Sequence, residues 1–137
     1  MKIIIDNSGS MNENGKKEAL QLWLLAFEQL AENKNIDIQK WDLKDLKGEF
    51  EDALLLNDGH FTEEIQVKSS VAFGADANRI KLKEISSKVF DSAEIFQVLH
   101  FMKKVDAIKQ CEILKRLGLL LGEYTMRMLD CPIKTLF

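Results

Sequence analysis

Asp6, Ser8 and Ser10 stand at alternate positions directly after an apolar run, Ile3-Ile4-Ile5. A carboxylate and two hydroxyls this close together in a loop are hard oxygen donors. The chemistry they suit is coordination of Mg²⁺ or Mn²⁺, since Mg²⁺ takes octahedral oxygen ligands and keeps several waters. A second carboxylate, Asp58, follows another short apolar run, Ala53–Leu56, and is flanked by Asn57 and Gly59. It is expected to act on the ion directly or through water. Hydroxyl and carboxylate triplets also occur as plain turns and helix caps. The elements that carry the triplet therefore decide its meaning.

Those elements read as an alternation of strands and helices. Residues 2–6 form a buried strand, and the Asn/Ser/Gly-rich stretch 7–15 a loop. From Lys16 to Glu32, Leu20, Trp23, Leu24, Phe27, Leu30 and Ala31 fall at helical spacing. Residues 36–41 alternate as a strand with one wet face. The charged stretch 42–52 is expected to hold a turn of helix, and Ala53–Leu56 a short strand. Gln66 to Phe73 is the next strand, closed by Gly74. Asp76 or Asn78 caps a short helix over 79–87, Lys88–Phe90 is a brief strand, and Ser92 caps a helix running to about Lys104. The pattern predicts an α/β, Rossmann-like fold, with a mostly parallel sheet flanked by helices. Right-handed crossovers would bring the loops after the first strand and after Leu56 to one edge. In open α/β sheets ligands bind outside the carboxyl ends of the strands, so that edge is the expected site.

Residues 105–137 differ. Ile108, Cys111, Leu114, Leu117, Leu121, Tyr124 and Met128 form one stripe, widened by Ile113, Leu119 and Leu120. This predicts a helical extension to the 1–104 domain. It either packs on the sheet or offers a face to a partner or a second copy of the chain, because a broad apolar face needs burial. Cys111 and Cys131 match no metal-ligand spacing, and Cys111 reads as a small buried hydrophobe.

Composition narrows the function classes. With 137 residues, 46% of them hydrophobic and 30% charged, the chain fits one soluble globular domain with a core. Net charge is −3, and no block of five or more Lys/Arg occurs. That argues against nucleic acid or an anionic membrane as partner. No apolar run reaches the roughly 18 residues of a membrane span. Strand residues begin at position 2 with no signal sequence before them, so a cytoplasmic protein is expected.

Asp6-Asn-Ser8-Gly-Ser10-Met resembles the first metal-binding loop of the von Willebrand factor A domain, a Rossmann-like fold with a metal-ion-dependent adhesion site. Leu54-Leu-Leu-Asn57-Asp58-Gly59 is similar to its second strand-end signature. Val71-Ala-Phe-Gly74-Ala-Asp76-Ala-Asn78 resembles the next strand and turn of bacterial members, and Leu82 to Phe101 the closing helix, strand and helix. The resemblance spans about residues 1–104. It implies a metal site of Asp6, Ser8, Ser10 and Asp58, and a protein partner whose Asp or Glu completes the ion's coordination. Asn7, Gly9, Met11, Asn57, His60 and Phe61 are the residues expected to meet that partner. Small bacterial relatives serve in multi-protein assemblies, stress-response ones included. The family's threonine ligand lies between the two motifs, whereas Thr62, Thr125 and Thr135 all fall outside that interval here. The interval is also short, so this copy is trimmed, with Asp42 or Asp45 as candidates for the gap.

Two other readings stay open. One is a metal-dependent nuclease of the PIN-like kind, whose carboxylates hold the ions that activate water. Glu49, Glu51 and Asp91 would join Asp6 and Asp58 in it, and Ser8 and Ser10 would be surplus. The other is a scaffold with a degenerate metal site. His100, Trp23 and Trp41 are expected to be structural, and His60 a loop residue at the edge of the site.

Overall fold

A computed structural model describes residues 1–7, 9–13, 15–44 and 46–121, with side chains as far as Leu117. Five strands form one sheet: β1 (Lys2–Ile5), β2 (Gln39–Asp42), β3 (Gly48–Asn57), β4 (Ile65–Ala72) and β5 (Ser86–Asp91). Every neighbouring pair is parallel, in the order β2-β1-β3-β4-β5. Three helices accompany it: α1 (Lys16–Asn33), α2 (Arg79–Ile85) and α3 (Ile95–Leu121). This is the expected Rossmann-like α/β fold with a C-terminal helix. A 3₁₀ turn, Gly9–Asn12, fills part of the loop after β1.

The central strands are apolar because both of their faces are covered. Ile3, Leu54, Leu56, Val71 and Phe90 point to one face. There they meet Leu20, Trp23, Phe27 and Ala31 of α1 and Val98, Leu99 and Met102 of α3. Trp23 stacks on Phe27 at 4.8 Å, and its indole N–H donates to Ser92 O at 2.9 Å, tying α1 to the approach to α3. On the other face Ile4, Ala53, Leu55, Ile65 and Val67 are covered by Leu43, Phe61 and Leu82. Two of those three come from connections, because among the described residues β2–β3 and β3–β4 are joined by 43–47 and 58–64 without a helix. Parallel strands are usually linked by a crossover helix. Here loop side chains take the place of that helix, which is how so short a chain covers both faces.

Several expectations change in detail. The strand expected over Ala53–Leu56 begins at Gly48, so the helical turn expected in 42–52 gives way to strand. β3 pairs with β4 along its amino half, Gly48↔Ile65 and Phe50↔Val67, and this pairing outweighs the local charge pattern. All of β2 is exposed, since it is an edge strand. Trp41 is 39% exposed, held by Lys2 and Phe50 on the rim of the sheet rather than packed in it. α3 runs unbroken through the expected boundary at 104/105. The proposed extension therefore begins as the same helix that packs on the sheet. Cys111 is buried, as expected. Of the expected stripe, Ile108 and Leu114 are half-buried, while Ile113 and Leu117 are 48% and 46% exposed. Leu119, Leu120, Leu121, Tyr124, Met128 and Cys131 lie outside the described side chains. No described helix is long and apolar enough to cross a membrane.

Candidate functional site

The strand order reverses between β1 and β3, which is where ligands bind in this topology. Asp6 leaves β1 at that point, its N–H reaching Leu56 O across to β3. Asn57 ends β3, and although 51 residues away in sequence its amide donates to Asp6 Oδ2 at 2.9 Å. The Asn57 side-chain oxygen accepts the Gly59 N–H, and its carbonyl accepts the Phe73 N–H at 3.1 Å. One buried side chain thus joins the ends of β1 and β3, and its backbone joins β4. From the sequence, Asn57 is expected to meet a partner. It is fully buried and faces inward because Asp6 needs a donor there.

Asp58 is also fully buried. Its Oδ1 accepts the His60 N–H at 3.0 Å, and its Oδ2 accepts from the Lys16 ammonium at 3.0 Å. Lys16 is the first residue of α1 and is only 2% exposed. It also reaches Asp76, at 2.8 Å to Oδ1 and 3.1 Å to Oδ2. The Asp76 side chain, by contrast, is 54% exposed. The hydrogen bond that Lys16 donates to Asp76 is the main cause holding the Lys16 pKa above its ordinary value. Burial opposes it, and Asp58 adds its own hydrogen bond and charge. Asp76 is correspondingly held below the usual carboxylate range, mainly by the hydrogen bond from Lys16.

Glycines let the loops close over this cluster. Gly59 has φ 83°, and a Cβ there would stand 2.5 Å from Asn78 O. Gly74 has φ 94°, and a Cβ there would stand 2.6 Å from Lys16 Cε. Asn78 N–H donates to Asp58 O at 2.7 Å, and the Asn78 side chain accepts from Lys81 N–H at the start of α2. Asn78, not Asp76, is therefore the cap of that helix. His60 Nε2 lies 2.9 Å from Asp76 O, and Ser10 Oγ reaches His60 O at 3.4 Å. The loops after β1, β3 and β4 are in this way laced into one edge.

Asp6, Ser10, Asn57, Asp58 and His60 are brought to that edge, while Ser8 lies outside the described residues. Asn7, Gly9 and His60 are exposed there. Met11 and Phe61, expected to meet a partner, are buried instead. Met11 packs in the core beneath α1, and Phe61 covers β3 and β4 in place of a crossover helix. Asp42 reaches the same end of the sheet, in register with Ile5, but its carboxylate accepts the Lys44 N–H of its own turn. Asp45 lies outside the described residues. The carboxylates of the nuclease reading do not gather. Glu49 and Glu51 lie in the amino half of β3, lining a groove of about 640 Å³ against α3, and Asp91 pairs with Arg79. Among the described residues no group of three His, Cys, Asp or Glu is placed to hold a metal.

The residue that sequence reasoning missed is Lys16. Its signal was a cation in the first turn of a helix, where the helix dipole disfavours positive charge. Such a lysine needs carboxylates from elsewhere, and Asp58 and Asp76 supply them. No protein-family model, curated protein or solved structure matches the chain.

Proposed function

We propose that this chain is a protein-interaction module of the von Willebrand factor A kind. In this reading the edge carrying Asp6, Ser8, Ser10 and Asp58 holds Mg²⁺ or Mn²⁺ and receives an Asp or Glu from a protein partner in a bacterial assembly. One observation carries the reading: two sequence-distant strand ends, with Asp6 on one and Asn57-Asp58 on the other, meet where the strand order reverses. The oxygen donors suit a hard cation, with Asp6, Ser8 and Ser10 as ligands and Asp58 behind them. A bound ion would supply an open coordination position for the partner's carboxylate. Asn7, Gly9 and His60 are the exposed side of the edge and would meet that partner.

The dispersal of Glu49, Glu51 and Asp91 takes support from the nuclease reading. The buried Lys16–Asp58 pair favours a second reading, a scaffold that works without metal, because an internal ammonium already neutralises Asp58. Titration calorimetry separates the two. Saturable heat with Mg²⁺ or Mn²⁺ is expected from the parent chain. It should be lost in Asp6→Ala with the circular dichroism spectrum unchanged. An absence of heat from the folded parent chain would overturn the metal reading in favour of the scaffold.

A further inference from the structure

We propose that residues 122–137 turn back after Leu121 and lie antiparallel along the outward face of α3, covering Ala107, Cys111 and Leu114 and setting Cys131 beside Cys111. This arrangement is independent of the metal reading, since it lies at the other end of the sheet. There Lys109 pairs with Asp52, and Asp106 with the Met1 amino group.

Cys111 is 1% exposed, yet it belongs to neither apolar cluster around the sheet. It follows Met102, which packs against the sheet, by nine residues, or about two and a half turns of α3. It therefore points to the side of α3 away from the sheet. Ala107 and Leu114, at i−4 and i+3 from Cys111, are half-buried on the same side. Gln110, Glu112 and Lys115, which flank that row, are exposed. Burial at this spacing is what a second segment lying along a helix produces, whereas one neighbouring side chain would cover one position.

Residues 122–137 have the length and the pattern to be that segment. Cys111 stands ten residues before Leu121 and Cys131 ten after it; Leu114 and Met128 stand seven before and seven after. An antiparallel return about this point sets each pair level. Tyr124, Met128 and Cys131 recur at i, i+4 and i+7, one face of a returning helix. Gly122 is the residue type that ends a helix, and two antiparallel helices joined by a short turn are a recurrent unit. The stretch from Ala107 to Leu121 is about 21 Å long at 1.5 Å per residue, which residues 122–137 can span whether helical or extended.

The test uses the reduced full chain in two arms. In the first, glutathione disulfide is the oxidant. One cysteine thiolate attacks it and releases a glutathione; the other cysteine then displaces the second glutathione. Two protein thiols become one disulfide, and the oxidant leaves as two glutathione thiols. A disulfide needs Cα atoms about 4.4–6.8 Å apart, so it reports the proposed register. Intact mass and a peptide map should show a monomer with the Cys111 and Cys131 peptides joined. Glutathione left on either cysteine, or two thiols that stay reduced, overturns the proposal. So does a covalent dimer, which would assign the face to a second copy. In the second arm, alkylation of Cys111 by iodoacetamide is timed in Cys131→Ser and in the same chain carrying Met128→Asp, with folding checked by circular dichroism. Losing one buried apolar side chain should open the cover and raise the rate about tenfold. Equal rates overturn the proposal; should the double variant fail to fold, the first arm decides alone.

Discussion

At the scale of single residues, the strand-end edge is a set of polar groups satisfied by one another. Asn57 serves Asp6 and Gly59, Asp58 serves Lys16 and His60, and the Asn78 backbone closes on Asp58. Such a network tolerates little displacement, since a buried polar group that loses its partner keeps the full cost of desolvation. Gly59 is the position where this can be tested without touching a charge. Its φ of 83° is poorly accessible to other residues, and an added Cβ meets a backbone oxygen rather than a flexible side chain. Gly59→Ala should lower the unfolding free energy by about 2–3 kcal/mol, read by urea denaturation. A loss within about 0.5 kcal/mol would show that the loop has other ways to close. Asp6 and Asp58 were legible from sequence because each follows an apolar run. Lys16 was not, because its partners come from loops 42 and 60 residues further along the chain.

At the scale of elements, the long helix α3 shows what periodicity can and cannot tell. Both of its halves were legible as helix from their apolar spacing. Their continuity was not, because no residue marks the join; Lys104 and Val105 simply continue the turn. β3 was read as four residues and is ten, because its amino half is held by pairing with β4 rather than by an apolar pattern of its own. That half also anchors α3. Asp52 accepts from Lys109 at 2.5 Å and lies 3.6 Å from Lys2. Burial pushes the Asp52 pKa up, but the hydrogen bond and charge of Lys109, with the charge of Lys2, bring it below its ordinary 3.8. A carboxylate with a depressed folded-state pKa adds stability above its unfolded pKa and loses it as pH falls through the folded one. Asp52→Asn should therefore melt below the parent at neutral pH. The gap should close as pH falls from 3.8 through the lower folded-state value. Lys109 is half-exposed, so the effect should be no more than about 1 kcal/mol. A gap that persists well below that range would mean that Asp52 acts through packing rather than charge.

At the scale of the whole molecule, the strand order and the placement of two carboxylates support each other. The order β2-β1-β3-β4-β5 reverses between β1 and β3, and Asp6 and Asp58 sit at the ends of those two strands. The fold class was legible because strand and helix periods alternate along the chain. The economy of the fold was not, since sequence pattern gave no sign that Leu43 and Phe61 would replace two crossover helices. The consequence for function is that the strand-end edge is built by loops, held by Asn57 and by the Lys16 ion pairs. The central claim is the proposal that this edge holds a divalent ion. Anomalous diffraction from crystals of the parent chain grown with Mn²⁺ tests it most directly. A single manganese peak within coordination range of Asp6 and Ser10 is expected. No peak at this edge would contradict it.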